Sequence, residues 1–181
     1  MKIKHILPIV LLAVASTALR ADHPPEWLVA KTAPERSLAK IEVGQTKVGE
    51  VIRAYGKPTS GGPIKGFSGE AEYVWSLENS ELHASTMYPP GRAREEQIIH
   101  AVEVRQKEGK TSGAATGAKV KMGAELKDLI AVYGPIYMTD WRDLSKESRS
   151  ISYIFENETE LTFGFSDDGH VIAILLAESM E

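Results

Sequence analysis

The chain has 181 residues, with 21 Lys and Arg against 25 Asp and Glu, five His and no Cys. The absence of cysteine excludes a disulfide framework and a cysteine-anchored lipid, so stability has to come from burial. The acidic balance argues against nucleic acid and against an anionic membrane surface as partners, because both need clustered Lys and Arg to displace counterions.

The chain opens "MKIKHILPIVLLAVASTALRADHPPEW". Two lysines, an apolar run from Ile6 to Ala15 and then small residues make residues 1–21 an export signal, its apolar part too short for a membrane span. Cleavage after Ala21 is favoured over cleavage after Ala18. Removing residues 1–21 leaves 18 basic against 25 acidic residues, a formal charge of −7. A periplasmic or secreted location is the expectation. No second apolar stretch approaches membrane length, and about 160 residues can hide roughly two thirds of their unfolded surface. Residues 22–40, with two consecutive prolines and Trp27, form an N-terminal extension that reads either as a tether or as a packed clasp.

"VGQTKVGEVIRAYGKP", from Val43, and "MGAELKDLIAVYGP", from Met122, carry the same phrase. Val48, Val51, Ile52 and Tyr55 recur as Leu126, Leu129, Ile130 and Tyr133, apolar positions at i, i+3, i+4 and i+7 that make one helical stripe. Gly56 and Gly134 then supply a stop, reinforced by Pro58 and Pro135. Thr46 is the expected cap of the first helix; the second has no obvious one. After each helix come three strands: "EAEYVWSL", "ELHASTM" and "IIHAVEV", then "SISYIFE", "ELTFGFS" and "HVIAILLA", each with the alternation of a half-buried sheet.

The expected fold is therefore α+β, with two tandem helix-plus-three-stranded antiparallel repeats over 41–104 and 117–181 and helices on one sheet face. The linker, 105–116, lacks an apolar period and reads as flexible. Three strands are marginal alone, so the halves are expected to share a seam, through strand pairing or through helices. Tyr73, Trp75, Tyr153 and Phe155 alternate on one side of their strands. They either pack under the helices or line the opposite face, and core is the commoner place for large aromatics.

The two phrases with their strands resemble the beta-lactamase inhibitor protein fold and the single-unit SmpA/OmlA lipoproteins of outer-membrane assembly, over about Ile41 to Leu176. The resemblance implies a concave sheet and projecting loops presented to another protein. Unlike those relatives, which carry disulfides or an acylated cysteine, this chain has no thiol.

Loops supply the candidate partner-binding residues: Tyr88 and Arg92 on a proline-stiffened hairpin tip, and Tyr137, Trp141 and Arg142 after the second helix. These are residue types enriched in binding hot spots. Catalytic motifs are missing: "GFSGE" and "GFSDD" start like a nucleophile elbow but fail at the fifth position, and Glu95-Glu96 and Asp167-Asp168 are sequence neighbours that point apart or sit in a turn. The expectation is a non-catalytic protein-binding module, inhibitor-like, with no cofactor, no metal, no nucleic acid, no membrane span and no lipid anchor, whose partner is another exported or envelope protein. The alternative is a small-molecule or metal-binding protein or enzyme that uses a cleft between the halves, with His100 and His170 converging there.

Overall fold

The computed structural model describes residues 35–65, 69–87, 92–134, 149–155 and 159–178. Helix α1 spans Val48–Tyr55 and α2 spans Leu126–Tyr133. Each ends on its glycine at positive φ, 85° at Gly56 and 95° at Gly134, whose amides bond back to Ile52 and Ile130. The starts differ from expectation. The Thr46 hydroxyl accepts from the Glu42 amide, and α1 is closed instead by Glu50, whose carboxylate accepts from the Lys47 amide at 2.8 Å. Asp128 does the same for Glu125 in α2 at 2.9 Å. A carboxylate in the first helical turn satisfies an orphan amide and complements the helix dipole.

Among the described residues the strands, in chain order, are β1 Ser37–Leu38, β2 Ile41–Glu42, β3 Ser60–Pro63, β4 Glu70–Ser76, β5 Ser80–Met87, β6 Ile99–Gln106, β7 Arg149–Ile154, β8 Thr159–Phe165 and β9 Val171–Glu178. β1 and β2 pair as a small ribbon, and the other seven form one antiparallel sheet in the order β3-β4-β5-β6-β9-β8-β7. This corrects the expected α+β arrangement. The described chain is mostly β, with two eight-residue helices, and it does not divide into two helix-plus-three-strand repeats. β6 and β9 are hydrogen-bonded from Ala101 opposite Ala177 to Arg105 opposite Ala173, which joins all seven strands. β3, an edge strand that the alternation pattern did not announce, lies outside any three-strand unit. The buried residues form one cluster rather than two. The physical reason is edge satisfaction: two narrow sheets would each leave a row of unpaired amides at the seam, and pairing them removes both edges at once.

Glycine makes β3 possible. At Gly61, φ is 129°, and a Cβ there would lie 2.3 Å from the Glu72 carbonyl oxygen, so the edge strand approaches β4 closer than any side chain permits.

One face of the sheet carries the core. Tyr73 and Trp75 of β4, Leu82 of β5, Val102 of β6, Tyr153 of β7 and Phe163 of β8 are all buried. The aromatic set thus packs under the helices. Trp75 donates from Nε1 to the Gly56 carbonyl at 2.8 Å, and Tyr133 lies 5.1 to 6.2 Å from the rings of Tyr153, Phe155 and Phe163. The helical stripes are narrower than expected. Val48 and Val51 of α1 and Leu129 and Tyr133 of α2 are buried, whereas Leu126 and Ile130 are about 40% exposed, at 41% and 40%. α1 has the turn Arg94–Glu96 packed beside it; among the described residues α2 has no such neighbour.

The segment around residue 35 packs as a clasp. Leu38 and Ile41 are buried in the core, and Glu35, only 6% exposed, reaches residues far along the chain. Its carboxylate accepts from the amides of Gly117 and Ala118 at 2.9 and 2.8 Å and from the Tyr133 hydroxyl at 2.8 Å. Its carbonyl accepts from the Thr159 hydroxyl at 3.1 Å. The expected flexible linker is correspondingly ordered. Arg105 and Gln106 complete β6, and Thr116 is buried, bridged to Leu38 and hydrogen-bonded to the Tyr133 hydroxyl. Backbone amides and one hydroxyl offered to a buried carboxylate hold together what composition alone reads as loose chain.

Candidate functional site

Strand alternation that buries one set of side chains presents the complementary set on the other face. Both helices lie against the buried set, and among the described residues no helix or strand lies over the complementary set. The central row there runs Val74, His83, Glu103, Leu175, Thr162, Ser152, each opposite the next on adjacent strands. The row beside it runs Glu72, Ser85, Ala101, Ala177, Glu160, Ile154. Most of these residues are half-buried, packed by their neighbours yet reachable from outside.

The face is chemically divided. On β4, β5 and β6 it is charged. His83 sits between carboxylates, with Nδ1 3.0 Å from Glu72 Oε1 and Nε2 3.5 Å from Glu81 Oε2, the latter without hydrogen-bond geometry although the atom is buried. Glu103, opposite His83, accepts two bonds from the Arg105 guanidinium at 2.9 and 3.2 Å. At the rim, Lys107 donates to the Ser76 hydroxyl and the Leu77 carbonyl, closing the turn between β4 and β5. On β9 the surface is small and apolar, with Ala173, Leu175 and Ala177. On β8 and β7 it is mixed, Gly164 and Ile154 lying beside Glu160, Thr162 and Ser152, with a 2.7 Å hydrogen bond between the Ser152 and Thr162 hydroxyls.

Two β-bulges shape this sheet. The register slips between Ser85 and Thr86, making His100 the extra residue of β6, and between Gly164 and Phe165, making Ile172 the extra residue of β9. Bulges bend a strand and raise its local twist.

The residues singled out in the sequence fall as follows. Tyr88, Tyr137, Trp141 and Arg142 lie outside the described residues. Arg92 is exposed, on the approach to the Arg94–Glu96 turn. Its charge acts on Glu96, whose carboxyl is held below the usual range first by the hydrogen bond from Lys47 and then by the charges of Lys47, Arg92 and Arg53. His100 and His170 do not converge. The β6–β9 register puts His170 about eight residues further along the seam than His100, roughly 26 Å at 3.3 Å per residue. His100 pairs instead with Glu178 at 2.6 Å, and His170 with the Gly123 carbonyl at 3.2 Å. The shared metal site between the halves is therefore corrected, because antiparallel pairing carries similar positions on two strands to opposite ends of the seam.

The open sheet face is expected from the sequence as a docking surface, but its individual residues are not singled out there, although a signal exists. The residues between the buried aromatics, Glu72, Ser76 and Ser152, read as solvated, and extending that parity to every strand yields the rows above. On the core side, burial pushes the Tyr153 hydroxyl up to about 12 and the Tyr133 hydroxyl higher still, so both stay neutral hydrogen-bonding groups across the physiological range.

No protein-family model and no curated protein matches the chain. Among solved structures it is similar to a DUF4309 family protein from Bacillus subtilis, at 15% identity and a TM-score of 0.49, over 81% of this chain and 86% of that one. It is also similar to a cysteine-rich secretory protein from Staphylococcus aureus, at 14% identity and a TM-score of 0.52, over 79% of this chain and 47% of that one. The second likeness, to about half the length of that protein, is one of fold; neither bears on the beta-lactamase inhibitor or SmpA/OmlA resemblance. No described helix is long and apolar enough to cross a membrane.

Proposed function

We propose that this chain is an exported, non-catalytic binding module that engages another exported or envelope protein through the free sheet face and the loops around it. One observation carries the reading: both helices and the aromatic core lie on one side of a seven-stranded sheet, while the opposite rows from Val74 to Ile154 have no described element over them. A face of half-buried, chemically varied residues on a rigid sheet suits recognition without turnover, since its backbone is held by hydrogen bonds on both sides of every central strand. The lysines, apolar run and small residues of positions 1–21 support export. The resemblance to inhibitor proteins supports action by stoichiometric occupancy.

The test is positional photo-crosslinking. A photoreactive residue at Ser85 or Leu175, on the free face, is expected to capture a discrete adduct from periplasmic extract. The same residue at Arg53, on the exposed side of α1, should not. Adducts forming from Arg53 alone, or with equal yield from all three positions, refute the assignment.

A further inference from the structure

Resting on the reading of the free face as the docking surface, we infer that the segment docked there is basic: a partner protein that presents Lys or Arg side chains to β4, β5 and β6 with an aliphatic residue against Leu175.

Charge carries the argument. Counted by strand parity, the free face of β4–β9 holds five carboxylates, at Glu70, Glu72, Glu81, Glu103 and Glu160, and a single guanidinium, at Arg105. That guanidinium is already committed to Glu103, and Lys107 at the rim is committed to Ser76 and Leu77. Two carboxylates are given to one imidazole, His83, an arrangement that leaves most of their hydrogen-bond acceptor capacity unused. The register sets Glu81 opposite Arg105 and Glu103 opposite His83, so no carboxylate faces another across adjacent strands and the excess lies in their number on one surface. A face that keeps this excess is electrostatically incomplete by itself, and complementary charge across an interface provides encounter rate and selectivity.

The arrangement also selects against alternatives. A second copy laid face to face would bring like charge on like charge, so self-association through this surface is disfavoured. An acidic partner is repelled for the same reason. The apolar strand β9 sets the second requirement. Leu175 stands directly opposite Glu103 on the central pair β6–β9 and is flanked on its own strand by Ala173 and Ala177, so it projects beside two small residues and accepts an aliphatic side chain in their place. Lys and Arg on the docked segment would then lie toward β5 and β4, about one strand spacing of 4.8 Å per step from the seam, over Glu81, His83 and Glu72.

The experiment uses the isotopically labelled protein and two synthetic peptides: one alternating lysine with serine around a central leucine, the other carrying glutamate in place of lysine. The lysine peptide is expected to perturb the amides of Glu72, His83, Glu103 and Leu175, and to weaken as salt is raised. The variant Glu72→Gln/Glu81→Gln/Glu103→Gln, whose glutamines keep the size of the side chains, is expected to lose about tenfold in affinity, since it removes three partly exposed carboxylates that would pair with the peptide's lysines. Amide spectra establish that this variant is folded before titration. The inference is overturned if the lysine peptide binds the variant as well as the parent, or leaves those amides unmoved. If instead the glutamate peptide perturbs the same amides equally, the charge inference fails while the face remains the docking surface. If both peptides shift only α1 and α2, the reading of the face fails with it.

Discussion

Replacing Glu35 by Ala removes the acceptor for three donors at once. The amides of Gly117 and Ala118 and the Tyr133 hydroxyl each lie within 2.9 Å of its carboxylate; Glu35 and Tyr133 are closed to water, at 6% and 1% exposed, while Gly117 and Ala118 stand at the exposed rim. A buried donor stripped of its partner costs about 1–3 kcal/mol. Thr116 still hydrogen-bonds the Tyr133 hydroxyl, and water reaches the amides of the exposed Gly117 and Ala118, so the total is about 2–4 kcal/mol. Set against about 5–15 kcal/mol for a domain, that is a large fraction of the stability. With an m-value of about 2 kcal/mol/M in urea, the midpoint should fall by roughly 1–2 M. Glu35→Gln keeps the volume but turns an amide NH2 toward a set of donors, and an intermediate loss of about 1–2 kcal/mol is expected. The assay is urea denaturation followed by far-UV circular dichroism, with Tyr133→Phe completing a double-mutant cycle. Coupling of at least about 1 kcal/mol is expected between residues that share a hydrogen bond. A Glu35→Ala midpoint indistinguishable from the parent, or additive effects in the cycle, would show that the clasp is decorative and that the carboxylate is solvated in solution.

Gly117→Ala tests the same site from the other side: a Cβ there would stand 2.5 Å from Glu35 Oε2, so displacement of the carboxylate should cost about 1–3 kcal/mol in the same denaturation assay. Trp75→Phe removes the Nε1 bond to Gly56 and leaves a void under α1; a loss of about 2–3 kcal/mol with broadened amide signals in 48–56 is expected, and an unchanged midpoint would remove Trp75 from the core. Alkali provides a third check. Unfolded tyrosines ionise near pH 10, whereas Tyr153 is raised to about 12 and Tyr133 and Tyr55 are also raised, each first by burial. Because the folded values are the higher ones, this contribution is fully present below pH 10 and is lost as pH climbs toward 12, at about 1.4 kcal/mol per pH unit for each group. Absorbance of tyrosinate from Tyr55, Tyr133 and Tyr153 should therefore lag until unfolding; a single transition near pH 10 in a protein with native circular dichroism contradicts the burial of these rings. Gly61→Val should detach β3, since both its φ of 129° and the 2.3 Å approach to Glu72 forbid a side chain, with a loss of about 2 kcal/mol or more and faster amide exchange at Val74 and Glu72.

What the chain determined by itself is local. Val48, Val51 and Tyr55 recur with helical spacing and meet Gly56; Leu129 and Tyr133 do so and meet Gly134. The alternation of Tyr73 with Trp75 and of Ile151 with Tyr153 marks strands and divides their faces. These signals survive in one sequence because each depends on residues within a turn or two of one another, where periodicity and the left-handed tolerance of glycine operate. Only the tertiary structure decided what is distant. Whether β6 meets β9 is a matter of two edges, from Ala101 opposite Ala177 to Arg105 opposite Ala173, finding a common register, and that choice turned two expected repeats into one sheet and carried His100 and His170 to opposite ends of the β6–β9 seam. Glu35 finds its donors 82, 83 and 98 residues away, and no spacing in the chain foretells them. The acidic rows of the free face are intermediate: parity along each strand was legible, but the gathering of Glu72, His83 and Glu103 into one surface required the order of strands, which long-range hydrogen bonding and burial select together.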